Sequence, residues 1–279
     1  MSTDDRGPII VDEVDYIQTF ATEENPEPWG TVETFYSALA IAHDSPGKSV
    51  NAIAAEVGAD GETVRGWIEG GRSPAIVRSL NVAIERGWVP LTEAAEDFPV
   101  LNRLVAWVFS GGSISIGYEL RFSPDSESER ERLKSLMAEL GLEYELREEN
   151  GYTTCIPRGK NRILARTLVS MGAPRGSKGP DIEISLPRYL SECSDRTRRE
   201  FVETYLLNRA VGWKDTRAMM IAEERPISYQ MELAEMIERV AGAPVTTNKN
   251  YVSIPADTAR ELDHIFSSQH FSTESRKSA

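Results

Sequence analysis

The stretch LVAWVFSGGS, residues 104–113, decides how this chain is read. It belongs to an apolar helix, Leu101–Phe109, that runs into Gly111-Gly112 and on into the alternating run SISIGYELRF (113–122), read as one strand. A helix over Ser126–Leu140 follows and ends at Gly141. Two strands, Glu143–Arg147 and Tyr152–Ile156, flank the turn Glu149-Asn150-Gly151, and a helix Lys160–Met171 closes at Gly172. The same order then returns: helix Asp195–Val211, strand Thr216–Ala222, helix Ser228–Ala241, a hairpin around Asn248–Asn250, and helix Ala256–Phe266. Cys155-Ile156-Pro157 and Ser253-Ile254-Pro255 lie 98 residues apart, and the same offset carries the first helix onto Arg199–Ala210. LKSLMAELG (133–141) matches LAEMIERVAG (233–242) in apolar spacing. Four elements agreeing in order argue for an internal repeat of two αβαββα units, about 170 residues in all, in an α+β fold.

Upstream of the repeat the chain reads differently. Residues 1–29 form an acidic arm that ends in EENPEPWG, with a short ordered piece at Ile9–Val14 and disorder in the rest. Four helices follow, Thr31–Ala42, Ser49–Val57, Glu62–Glu69 and Pro74–Arg86, the last with proline in its first turn. Ile53, Val57, Val64 and Trp67 have the spacing of the inward face of a helix-turn-helix, with Ala54 where the helices touch and Gly58 at the turn. Residues 30–90 are therefore expected to form an all-α helix-turn-helix domain. Its second helix would show Gly61, Glu62, Thr63, Arg65 and Gly66 to a major groove, with Arg72 and Arg78 on flanking phosphates. Residues 31–90 hold seven acids and five bases, so this reader is expected to need help from a second domain. The plainer alternative is a helical bundle with no DNA role. Leu91–Pro99 is the linker, 100–266 the repeat domain (100–172, connector 173–194, 195–266), and 267–279 a polar tail expected to be disordered.

The 279 residues carry a formal charge of −13, and no apolar run approaches the roughly 20 residues needed to span a bilayer. Cys155 and Cys193 are too few for a disulfide framework or a zinc site, which together with a start lacking a signal pattern points to the cytoplasm. Of the 31 bases only 7 are Lys, and acids exceed bases; a salt-rich cytoplasm and a GC-rich genome both produce that skew. The charge is uneven. Residues 155–217 hold thirteen bases and seven acids, a net of +6 inside a surround of −19. His43, His264 and His270 have no ligand spacing, and no phosphate-cradling glycine motif is present.

LVAWVFSGGS and FVETYLLNRA (201–210) resemble the two copies of the LAGLIDADG motif of homing endonucleases. Gly172-Ala173-Pro174-Arg175-Gly176-Ser177-Lys178, followed by Ile184-Ser185-Leu186-Pro187, resembles the connector between the halves of those proteins. A helix-turn-helix ahead of this domain resembles archaeal members, and the module content is similar to WhiA-type bacterial regulators, which join the two in the opposite order. The resemblance covers residues 100–266. It implies that the motif helices pack together at a pseudo-twofold axis through small residues one turn apart, here Ala106 and Ser110, Thr204 and Asn208. It implies a saddle of strands along double-stranded DNA; the charge distribution agrees, with strand or hairpin residues Arg121, Arg147 and Lys249 expected toward the groove and Arg158, Lys160, Arg162, Arg175, Lys178, Lys214 and Arg217 of the basic span expected at phosphates. Nuclease members hold a divalent metal with an acid at the foot of each motif helix; those positions here are Gly111 and Arg209, and Asp215 has no partner in the first repeat. The expectation is a DNA-binding transcription regulator that works as a monomer, without metal, cofactor or cleavage. An active endonuclease with displaced ligands, or an interaction module that has lost DNA binding, are the alternatives.

Overall fold

The computed structural model describes residues 8–149, 151–212, 218–248 and 250–267. They divide into a helical unit, residues 11–91, and a second unit built from the remainder.

β1 (Ile9–Val11) leads into the helical unit, which opens with α1 (Glu13–Gln18), whose start is fixed by reciprocal bonds between Asp12 and Asp15. Tyr16 and Ile17 are buried, and the Tyr16 hydroxyl lies 2.7 Å from Ser79 Oγ. This folded piece reaches further than the ordered Ile9–Val14 expected inside the arm. Acidic neighbours hide it in the sequence, because only one face of a short helix needs to be apolar. α2 (Trp29–Asp44), α3 (Val50–Val57), α4 (Gly61–Ile68) and α5 (Ala75–Glu85) follow, and the chain leaves the unit at β2 (Leu91–Thr92). Ser49 and Asp60 cap α3 and α4 by accepting from the amides of Ala52 and Thr63. Gly58 ends α3 at φ 67°, a left-handed conformation that suits glycine. Ala38, Ile53, Ala54 and Val64 form the core, with Val57 and Trp67 packed against it.

The second unit begins with α6 (Phe98–Ser110), then β3 (Gly112–Ile114), β4 (Leu120–Phe122), α7 (Glu127–Glu139), β5 (Tyr144–Glu149), β6 (Tyr152–Pro157) and α8 (Asn161–Ser170). The connector holds the short α9 (Tyr189–Glu192). The second copy is α10 (Asp195–Arg209), β7 (Ala210–Gly212), β8 (Met219–Ala222), α11 (Ile227–Ala241), β9 (Thr246–Asn248), β10 (Tyr251–Ile254) and α12 (Ala256–Ser267). Each repeat is therefore αββαββα, one strand more than expected. Residues 113–122 are two strands joined by a reversal. Tyr118 sits at φ 60°, its amide donates to Ser115 O, and Ser115 Oγ takes the Glu119 amide. In the second copy the helix stops at Arg209, and its expected last turn is β7, with Val211 paired to Met220. The sheets run β3-β4-β6-β5 and β7-β8-β10-β9, antiparallel throughout and equivalent strand for strand.

α6 is the hub of this unit. From Phe98 to Ser110 only Pro99 and Arg103 escape burial, and the helix packs along α10. Ala106 is fully buried at the contact. Asn102 Nδ2 donates to Thr197 O at 3.0 Å, and Asn208 Nδ2 to Ser110 Oγ at 2.9 Å. Ser110 and Asn208 are 98 residues apart, so equivalent positions of the two copies touch. That contact lies on the axis relating the repeats. Thr204 turns its hydroxyl back to Glu200 O within its own helix.

Candidate nucleic-acid interface

Side chains alternate along a strand. Phe122 and its partner Cys155 point inward, so Arg121, Thr154 and Tyr152 face away from the core, as do Glu145 and Arg147 through their pairing with Ile156 and Thr154. Both sheet arginines expected at the groove are on this outer face. Each has a carboxylate: Arg121 meets Glu119 at 2.8 Å, and Arg147 meets Glu145 at 2.8 Å. Arg158 also pairs with Glu145. Tyr152, 71% exposed, is on the same face and was not singled out from the sequence. Counting outward by twos from Cys155 does not reach it; counting from Thr154 does. On the second sheet Val252 and Ile221 pair inward, leaving Val211, Met220, Ser253, Thr246 and Tyr251 outward. Among its described residues that sheet carries no charged side chain. Lys214, Asp215, Arg217, Lys249 and His270 lie outside the described residues, as does the chain beyond 267.

A second group of bases lies at the start of α8 and in the connector. Asn161 ties the start of α8 to β4, accepting from the Leu120 amide at 2.8 Å and donating to Leu120 O and Pro157 O at 3.0 Å. The connector is fastened to β3 where the Gly176 amide donates to Ile114 O at 2.8 Å. Gly176 is needed there: its φ is 84°, and a Cβ would come within 2.9 Å of Ile116 Cδ1. These two ties bring Arg166 of α8 and Arg175 of the connector onto one ring, with guanidinium carbons 3.8 Å and 4.6 Å from the centre of Tyr118. Lys160 and Arg162 stand at the start of the same helix. Lys160, Arg162 and Arg175 make no ion pair with a described residue. The bases at the other end of the basic span behave differently: Arg188, Arg196 and Arg198 pair with Glu192, Glu200 and Asp195.

At the feet of the two motif helices the chemistry is cationic. Lys178 Nζ donates to Val108 O and Gly112 O, both at 2.5 Å, and Arg225 donates to Phe109 O. Arg209 donates to Ala222 O at 3.0 Å. Burial, with the nearby charges of Arg225 and Arg209, pushes the Lys178 ammonium down to about 8. The carboxylate here is Glu223, buried and committed to Arg225 and to the Tyr205 hydroxyl. Lys178 thus ends up satisfying the carbonyl end of α6 in place of the solvent-facing position expected for it. The residues described here do not fit a divalent cation, which needs several oxygen ligands of net negative charge. Among the described residues no group of three or more His, Cys, Asp or Glu side chains stands where it could hold a metal. Burial lifts the thiols of Cys155 and Cys193 to about 11, so neither is poised as a nucleophile.

In the helical unit Thr63 is exposed on α4. Arg65 is half-buried and held by Glu62 and by Glu69 at 3.8 Å. Gly66, expected on the open face, is buried, with the Arg72 guanidinium lying 3.4 Å from where its Cβ would be. Arg78 donates to Ser73 O.

No family model matches the chain, and no curated protein matches it by sequence. Among solved structures it is similar to the N-terminal LAGLIDADG domain of WhiA, at 13% identity and a TM-score of 0.42, over 65% of this chain and 89% of that one. It is similar to the homing endonuclease I-WcaI bound to its DNA recognition sequence, at 9% identity and a TM-score of 0.46, over 64% and 84%. It is also similar to I-DmoI in complex with DNA and calcium, at 11% identity and a TM-score of 0.44, over 64% and 96%.

Proposed function

We propose that this protein binds double-stranded DNA at a preferred sequence, without cutting it, and acts as a monomeric transcription regulator. The observation that carries this reading is the corner formed by Tyr118, α8 and the connector. Arg166 and Arg175 share the Tyr118 ring there, and Lys160 and Arg162 stand at the start of the same α8, in an otherwise acidic chain. Lys160, Arg162 and Arg175, which make no ion pair with a described residue, suit phosphate oxygens, and the outer sheet face offers Arg121, Arg147 and Tyr152 to a groove. Two equivalent sheets in one chain supply two half-site readers without a second copy. The helical unit adds a weaker contact through Thr63, Arg65 and Arg72, since Glu62 and Glu69 hold Arg65 back. Absence of cleavage is supported by Gly111, Arg209, Lys178 and Arg225 at the feet of the motif helices, where a metal-dependent hydrolase needs carboxylates.

The test is enrichment of genomic DNA fragments by the purified full chain over a range of salt, followed by incubation of the enriched sequence in supercoiled form with Mg²⁺ or Mn²⁺. Enrichment of a defined sequence that stays uncut is expected. No enrichment at any ionic strength removes the DNA reading. Specific nicking lost on Asp215→Asn restores the nuclease alternative.

A further inference from the structure

The two repeats differ in one groove. Beside α6, the space between α10 and α11 is filled by the connector. The Tyr189 ring meets Phe98 edge-on at 5.8 Å, its hydroxyl donates to Asn102 Oδ1 at 2.7 Å, and the Leu186 amide donates to Glu232 of α11 at 2.7 Å. The equivalent space in the first repeat lies beside α10, between α6 and α7. The connector occurs once in the chain, and the linker before α6 reaches only the start of α10, where Glu93 holds Ser194 and Thr197. The space is open, a cavity of about 530 Å³ walled by Trp107, Arg132, Leu136, Glu200, Thr204 and Leu207 among others. That volume is in the range of small-molecule sites.

Its lining holds three Arg and three Glu, and at one matched position the charge is the reverse of that in the filled groove. Leu133 of α7 corresponds to Leu233 of α11, so Arg132 stands where α11 has Glu232. Glu232 accepts from the N–H of the segment that fills its groove. Arg132 calls for an acceptor in return. Its guanidinium lies 5.5 Å over the Trp107 ring and has five N–H donors, one of them committed to Asn208 Oδ1 at 3.0 Å. Glu200 across the cavity is taken by Arg103 at 3.5 Å and Arg196 at 3.1 Å. Arg132 makes no ion pair with a described residue; Glu129 and Glu203 act on its charge from further off, and Glu139 and Glu203 also line the cavity.

We infer that this groove binds a small organic carboxylate, with the carboxylate on Arg132 and an apolar body between Leu136 and Leu207. A ligand seated there bridges α7 of the first repeat to the motif helix α10 of the second. It therefore stiffens the joint on which the two sheets are carried. On the DNA reading above, such a ligand is an effector, and a coupling of ordinary size changes DNA affinity by about 5–150-fold.

The first test needs no DNA. Phenylpyruvate, 4-hydroxybenzoate, 2-oxoisocaproate and succinate, each at millimolar concentration, are added to the full chain, with 2-phenylethanol as the body without the charge. Binding is read by saturation-transfer NMR and by melting temperature. At least one of the apolar carboxylates is expected to bind and raise the melting temperature, with no effect from 2-phenylethanol. Arg132→Gln is expected to abolish the effect. Leu207→Phe, which narrows the cavity from the other wall and leaves Arg132 in place, guards against a folding defect in the first variant and is expected to weaken binding at least tenfold. No response to any carboxylate, or a response unchanged in both variants, overturns the site. A bound carboxylate that leaves DNA affinity unchanged removes the effector role alone, and a chain that binds carboxylate but no DNA overturns the functional reading alone.

Discussion

Lys178 shows how one side chain sets the character of a site. Its ammonium is half-buried and has two guanidinium groups nearby, which hold it down to about 8 even though it donates to the carbonyl end of α6. The folded protein gives up that proton near pH 8, whereas the unfolded chain keeps it to about pH 10.5. Between those values the unfolded state binds more protons, so stability rises with pH through this window. Comparing chemical denaturation of the natural chain and Lys178→Met from pH 7 to pH 11 is expected to show a stability difference shifting in favour of the natural chain by up to about 3 kcal/mol. A flat difference contradicts the placement. The two neighbouring glycines differ in the same region. A Cβ at Gly111 meets nothing closer than 3.5 Å, but at Gly112 it comes within 2.9 Å of Phe122 Cδ1 and 3.2 Å of Val108 Cα. Gly112→Ala is expected to cost about 1–3 kcal/mol in urea denaturation and Gly111→Ala close to nothing.

At the scale of elements, the α6–α10 pair is the joint of the second unit. Removing the Asn208 amide leaves both Ser110 and Arg132 short of a partner. In a double-mutant cycle of Ser110→Ala and Asn208→Ala we expect a coupling of about 0.5–3 kcal/mol, and additivity contradicts the on-axis contact. The repeat was legible because its spacing is nearly constant: Ser110 and Asn208, and the two Ile-Pro ends of β6 and β10, share the 98-residue offset. The extra strand was not. SISIGYELRF alternates apolar and polar without a break, and its reversal uses Tyr118 at positive φ, a residue that carries no turn signal in a sequence. α1 escaped notice for a related reason, since one buried face of Tyr16 and Ile17 in an acidic stretch makes no periodic pattern. Of the candidate site, the basic loops were legible as charge. The stacking of Arg166 and Arg175 on Tyr118, and the commitment of Lys178 to α6, depend on contacts between segments tens of residues apart, which spacing does not report.

For the molecule as a whole, charge sorting matters more than net charge. The −13 total conceals a span at +6, and within that span ion pairing divides the bases again. Arg196 and Arg198 at the start of α10 are answered by acids of the same helix, while Lys160, Arg162 and Arg175 make no ion pair with a described residue. If these three contact phosphates, Lys160→Ala, Arg162→Ala and Arg175→Ala together should reduce the slope of log affinity against log salt by about 3, with the preferred sequence unchanged. The measurement that tests the central claim most directly is selection of genomic fragments by the full chain, with the recovered sequence then titrated against salt in the presence of Mg²⁺. The account predicts a defined sequence bound with a steep salt dependence and left intact. No preferred fragment at any salt, or a recovered sequence cut at a defined position, would contradict it.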